Sequence, residues 1–424
     1  MTFSLLTNRN FRLLWLAQIA ATLGTELYNV AVIVTVFQGT GSVLQTTGVV
    51  VARMAPSLFL GQMAGALVDR YPRRMVMLAV NLFRAAIIAL TAMLPSVWVA
   101  IPWVGYCVVV ALAVAEILYL PAQRALTPTL VEPSKLVSAN SLIYTATPLT
   151  QGISRALGAL ILLLGFGAVI TADLLLFVAA AILIFLIQSQ ETLRPPTTIG
   201  RERSLLGDAL DGLRYLGGHP LARSLVTLEC LEFWPHGIWT SALMLVFTER
   251  ALHAGMQEWG WQGATFFVGQ VAGSLFALSA TRWMERIPGR LIILNGFLMF
   301  ALTLVYSLTS TLWLAIAVCF LFGPRSALRD VSQDSLLQSN VEGEMLGRIY
   351  ATKQMLNNLS FMIASLLFGW LADSASIRTV YLIGAILYLC AALYAVSRQQ
   401  LRQGTIAGLG GEAGELVAGE RVNT

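Results

Sequence analysis

Long apolar runs broken by short polar connections make up almost the whole chain. Runs of about 20 residues or more, enough for a helix to cross about 30 Å of hydrocarbon, fall at 11–37, 44–68, 75–94, 98–121, 138–163 and 168–189. A second set follows at 221–249, 258–281, 290–309, 312–331, 348–371 and 377–397. The pattern predicts an all-α polytopic membrane protein with about twelve transmembrane helices. A long polar connection, 190–220, opens with Pro195-Pro196 and a charged run, and parts an N-terminal six-helix bundle (1–189) from a C-terminal one (221–397). Within it Leu206, Leu210 and Leu213 recur at helical spacing behind Ser204, a candidate N-cap, which predicts a short interfacial helix on the cytoplasmic surface. Residues 398–424 form a cytoplasmic tail, expected to be disordered because Gly and Glu dominate it without apolar periodicity.

The two sets repeat one another. GQMAG at Gly61–Gly65 returns as GQVAG at Gly269–Gly273, an offset of 269 − 61 = 208, and Ile143-Tyr144 returns as Ile349-Tyr350, an offset of 349 − 143 = 206. Near-equal offsets on equivalent spans imply two similar six-helix bundles related by an axis along the membrane normal.

Composition agrees with the pattern: 57% of residues are hydrophobic and 12% charged, against about 25% charged in a soluble domain. The net charge of +5 and pI near 9.2 come from cations clustered in alternate connections, so they call for no nucleic-acid partner. Arg9 and Arg12, Arg124 and Lys135, Arg194 to Arg214, Arg282 to Arg290, Arg348 and Lys353, and Arg398 and Arg402 all fall on one side, with Arg250 and Arg378 as exceptions. By the positive-inside rule both termini are cytoplasmic. Cys107, Cys230, Cys319 and Cys390 lie inside spans without metal-type spacing and read as small apolar fillers. No metal cluster, cofactor motif, nucleophile triad or phosphate-binding glycine loop is present, which excludes the common enzyme classes. No cleavable signal peptide is expected, because the first apolar run is too long for one.

Cations and an aspartate enter the apolar pattern abruptly between Gly61 and Arg74. The segment Gly65-Ala66-Leu67-Val68-Asp69-Arg70-Tyr71-Pro72-Arg73-Arg74 resembles the loop 2–3 signature of the major facilitator superfamily, with Pro72 where the signature has its second glycine. The resemblance implies a cytoplasmic gate built from Gly65, Asp69, Arg70, Arg73 and Arg74, in which Asp69 faces a helix N-terminus of the other half. Three further segments, NRNFRLLWLAQ, Thr127–Leu142 and Gly212–Leu225, resemble the bacterial branch that holds macrolide-type efflux proteins and the enterobactin exporter. The fifth helix departs from the drug:proton antiporter pattern, with Ser154-Arg155 where Gly-Pro is usual, and the fourth carries Glu116 without the usual arginine. That departure leaves open a different ion-coupling arrangement or an anionic cargo.

Ionisable residues inside the spans are the places to look for chemistry, because each costs about 2.5 to 3.5 kcal/mol at a helix centre on insertion scales. Gln18, Thr22, Glu26 and Asn29 share a face of the first span, and Glu229, Glu232, His236 and Thr240 repeat the arrangement in the seventh. The offset 232 − 26 = 206 makes Glu26 and Glu232 mates. The family's first, fourth, seventh and tenth helices line its central cavity, which implies that both carboxylates sit beside it and carry protons. For Glu26 a structural ion pair with Arg155 stands as the other reading. Glu116, Gln151, Arg155, Glu229, His236, Arg325 and Asn357 complete the substrate-cavity candidates, with Phe233, Trp234, Trp239 and Tyr28 as an apolar wall and Trp98, Trp103 and Trp259 as interfacial anchors.

The resemblance implies a proton-driven exporter of an amphipathic small molecule, a drug-like compound or a siderophore, working as a monomer in the bacterial inner membrane by alternating access. An uptake transporter or facilitator of a polar or anionic solute, and a non-transporting membrane sensor, are the alternatives.

Overall fold

The computed structural model describes residues 5–68, 71–93, 102–132, 135–188, 213–341 and 343–402, and among these there are helices and no strand. The helices are α1 (Arg9–Thr40), α2 (Val43–Val68), α3 (Arg73–Met93), α4 (Pro102–Leu130), α5 (Leu136–Leu162) and α6 (Phe166–Phe185), then α7 (Pro220–His236), α8 (Ser241–Arg250), α9 (Met256–Arg286), α10 (Pro288–Leu308), α11 (Leu312–Asn340), α12 (Gly343–Ser374), α13 (Ile377–Ser397) and α14 (Gln399–Arg402). Eight of them are individually long and apolar enough to cross a membrane. Three more, α2, α5 and α9, have 26, 27 and 31 residues, ample for a bilayer. Of the polar connection, residues 213–218 are helical and lead into α7, while the part holding Ser204, Leu206 and Leu210 lies outside the described residues.

Local chemistry sets the helix ends. Asn8 caps α1, its side chain accepting from the amides of Asn10 and Phe11 at 3.0 and 3.2 Å. At the other end Gly41 takes φ +64°, a left-handed conformation open to glycine, and its amide returns to the Phe37 carbonyl at 2.8 Å.

The run 221–249, read from the sequence as a single span, is broken. Pro235 has no amide to donate, and α7 gives way to a 3-10 turn, Gly237–Trp239, before Thr240 caps α8 through the Leu243 amide at 3.3 Å. Trp239 fills the break, its ring 4.0 Å from that of Phe322, 4.8 Å from Tyr306 and 5.4 Å from Tyr381.

Packing divides the described chain into two compact units. The first holds the residues up to 188 with 240–268 and 369–374; the second holds 213–239, 269–368 and 375–402. In the first, α1, α3, α4 and α6 enclose a core of Leu14, Ala17, Met77, Val80, Ala122, Leu126, Ala180 and Ile184. In the second, α7, α10, α11 and α13 enclose Leu225, Leu228, Ile292, Leu336, Ala391 and Ala395. Here Gly269 and Gly273 of α9 press against the Phe320 carbonyl and the Pro324 backbone of α11, where any side chain would collide. Small residues at this spacing let two helices approach backbone to backbone.

Candidate functional site

In the first unit, Glu26 of α1 is 4% exposed and accepts from Arg53 of α2 at 2.9 Å. The same guanidinium reaches Glu116 of α4 at 3.6 Å, so one cation is shared by two carboxylates. Arg53 lies near the middle of α2. Arg155, expected beside Glu26, lies within electrostatic reach of it but stacks over the Phe267 ring of α9 at 5.0 Å, with Gly263 leaving room for its stem. Gln18 and Asn29 are buried on α1, the Oε1 of Gln18 and the Nδ2 of Asn29 having no hydrogen-bond partner among the described residues, while Thr22 and Gln151 are half-buried.

A second cluster stands in the other unit. Arg329 of α11 donates to one oxygen of Glu232 from Nε at 2.9 Å and from Nη2 at 2.5 Å, and the second oxygen of Glu232 is buried without a hydrogen-bond partner among the described residues. Glu229 accepts from Asn357 at 2.9 Å and meets Lys353 at 3.1 Å, with Arg329 at 4.0 Å. Lys353 and Arg329 are also tied to the more exposed Asp334 and Asp330 at 3.2 and 2.9 Å. His236 shares a 3.0 Å hydrogen bond with the Tyr388 hydroxyl and packs against Phe233 and Phe361. Arg325 is 7% exposed beside the Phe322 ring, and its Nε has no hydrogen-bond partner. Glu26 and Glu232 are thus both buried in helices and both arginine-bound, yet their partners sit on helices that do not correspond, α2 and α11.

Two buried charges escape the sequence reading. Arg84 of α3, 2% exposed, is held between the rings of Tyr119 and Phe177 at 5.4 and 5.7 Å. Asp173 of α6 is fully buried. The signal for both is plain, a lone charge in the middle of an apolar run. Trp259, expected at the bilayer interface, is instead 4% exposed and donates to the Ser241 carbonyl at 3.0 Å, whereas Trp103 is 74% exposed. Trp98 lies outside the described residues.

Of the expected gate, Asp69 and Arg70 lie outside the described residues, and Gly65 falls in the last turn of α2. Arg74 donates to the carbonyls of Ile184 and Phe185, the C-terminal end of α6, and Arg73 stands half-buried beside it. A latch is seen at the opposite end of α2. Asp373 of α12 accepts from the Val43 and Leu44 amides at 2.6 and 3.1 Å and from the Ser42 hydroxyl at 2.8 Å, so a carboxylate caps the α2 N-terminus. Beside it Arg250 donates to the carbonyls of Gly41 and Ala372 at 3.2 and 3.3 Å and lies over the Phe37 ring. Gly369-Trp370-Leu371-Ala372-Asp373 spells the same Gly-x-Leu-x-Asp as Gly65 to Asp69.

Residues 1–410 match the family model described as transmembrane secretion effector. The chain is similar to the MFS-type transporter YjbB of Bacillus subtilis, 28% identical over 93% of this chain and 97% of the relative. It is similar also to macrolide efflux protein A of Streptococcus pyogenes, 22% identical over 93% and 96%, and to the enterobactin exporter EntS of Escherichia coli, 28% identical over 90% and 92%. Among solved structures it resembles the nucleoside transporter NupG, with a TM-score of 0.68 at 14% identity over 91% of this chain and 98% of the other. A D-xylose–proton symporter follows with a TM-score of 0.65 at 14% identity over 92% and 98%. At these identities the structural likeness speaks for the fold.

Proposed function

Because this chain belongs to the transmembrane secretion effectors of the major facilitator superfamily, a family of membrane transporters and not of enzymes, we propose that it exports an amphipathic small molecule, a drug-like compound or a siderophore, by proton antiport. The observation that carries the reading is the pair of buried, arginine-bound carboxylates, Glu26 and Glu232. A proton on Glu26 cancels the charge that holds Arg53, and Glu116, already 3.6 Å away, is placed to take the guanidinium over. Glu232 works in the same way, with Glu229 and Asp330 as the other acceptors of Arg329. Each protonation therefore moves an arginine, which is a charge change coupled to a packing change. Gln18, Thr22, Asn29, Gln151, Arg155, His236, Arg325 and Asn357 supply polar contacts to cargo. The cargo class is supported by efflux relatives whose own names concern macrolides and enterobactin.

In this reading two six-helix halves, 1–189 and 221–397, rock about the cavity of a monomer in the bacterial inner membrane, with both termini cytoplasmic. The Asp373–Arg250 latch closes the extracytoplasmic end, and Asp69, Arg70, Arg73 and Arg74 serve the cytoplasmic gate.

The test is purified protein in proteoliposomes with a pH-sensitive dye inside, offered siderophores, macrolides and lipophilic cations. Cargo-dependent proton movement in the wild type and its loss in Glu26→Gln are expected. Cargo flux without proton movement would overturn the antiport.

A further inference from the structure

Asp173 lies seven residues from the start of α6, so roughly 10 Å into the span. Its side chain has no exposed surface, and among the described residues neither carboxyl oxygen receives a hydrogen bond. The α1–α6 contact makes this pocket. Gly24 of α1 admits the ring of Phe177, one turn along α6 from Asp173; a Cβ on Gly24 would come within 3.1 Å of that ring. One turn further along α1, the buried Tyr28 hydroxyl comes within electrostatic reach of the carboxyl. On the other side Val169 closes onto Leu27 and Ala31.

Four charged groups on the helices packed against α6 have other contacts among the described residues, although the Nε and Nη2 of Arg84 have no hydrogen-bond partner there. On α3, Arg84 is stacked between Phe177 and Tyr119, and Arg74 binds carbonyls at the far end of α6. On α5, Arg155 lies over Phe267; on α1, Glu26 is held by Arg53. Among the described residues no cation pairs with Asp173.

A carboxylate in an apolar site with no hydrogen bond and no counter-ion is strongly disfavoured, whereas the neutral acid is tolerated far better. We propose that Asp173 is a proton-binding site of the transport cycle, loaded in the packing seen here and emptied in a state of the cycle that admits water to this pocket. The step is acid–base exchange: the carboxyl O–H breaks, its proton passes to water on the open side, and the carboxylate later takes a proton from water on the other. Asp173 differs from Glu26 and Glu232 in having no arginine to release, so its charge depends on the proton alone. Its role rests on the antiport reading above.

The experiment uses the full-length protein in liposomes. At neutral pH the infrared spectrum should show a carboxylic-acid C=O band that is lost in Asp173→Asn and kept in Glu26→Gln; identical spectra for wild type and Asp173→Asn overturn the proposal. In the same liposomes, with enterobactin and a macrolide offered as cargo, Asp173→Asn should keep cargo exchange and lose cargo-driven proton movement, and Asp173→Glu should regain it. Wild-type proton movement in Asp173→Asn overturns Asp173 as the site. A wild type that moves cargo without protons is a separate result and overturns the antiport reading instead.

Discussion

At Arg329 one side chain holds Glu232 through two donors and approaches Glu229, with only a tenth of its own surface exposed. Removing one partner of such a buried pair strands the other, a loss of about 3 to 5 kcal/mol, while replacing both by neutral groups is far milder. Arg329→Met should therefore lower the thermal stability of the detergent-solubilised protein sharply, and adding Glu232→Gln should restore most of it. A double variant as unstable as the single would show that Arg329 acts through packing rather than through Glu232. Arg53, whose side chain is 30% exposed, should give a smaller loss, because water and Glu116 compensate. That these charges lie within helices was legible here and how they pair was not. Glu26 and Glu232 stand out as carboxylates in apolar helices, but the sequence spacing that fixes their depth leaves their azimuth toward Arg53 or Arg155 open. Arg84 and Asp173 were equally visible as isolated charges, and reading only the polar stripes passed over them.

On the scale of elements, the N-terminus of α2 has the amides of Val43 and Leu44 satisfied by Asp373 of α12 and that of Gln45 by its own cap, Ser42. Loss of a capping carboxylate costs about 0.5 to 2 kcal/mol. Asp373→Ala should thus open this end of the unit more often, read as faster reaction of a cysteine placed at the half-buried Leu44, whose side chain takes no part in the cap, with a membrane-impermeant maleimide. Unchanged labelling would leave the contact a static brace. Helices were readable from hydrophobic runs because the bilayer demands length and apolarity alike. Interruptions were harder. The run through Pro235 and Gly237 stays apolar across its break, so hydropathy joins α7 and α8, and only the missing amide of Pro235 hints at the 3-10 turn.

For the whole molecule, the cations predict an orientation, and the two exceptions to the positive-inside pattern bind helix ends in the structure. Arg250 binds the carbonyls of Gly41 and Ala372, and Arg378 those of Ser307 and Thr309 at 2.9 and 2.7 Å. Both therefore neutralise the negative ends of helices, where a cation is worth about 0.3 to 1 kcal/mol. The remaining cations, at Arg9 and Arg12, at Arg73 and Arg74, at Arg282 to Arg290 and at Arg398 and Arg402, predict by their place in alternate connections that both termini are cytoplasmic. Green fluorescent protein fused after Thr424 should accordingly fluoresce, while alkaline phosphatase fused at Ala254, between α8 and α9, should be active and the same enzyme fused after Thr424 inactive. The reverse activities would invert the chain, turning the Asp373 latch into a cytoplasmic closure and the loop from Asp69 to Arg74 into an outer one. Arg250→Gln and Arg378→Gln should lower stability and leave both reporters unchanged, which separates cations that hold helices from cations that orient them.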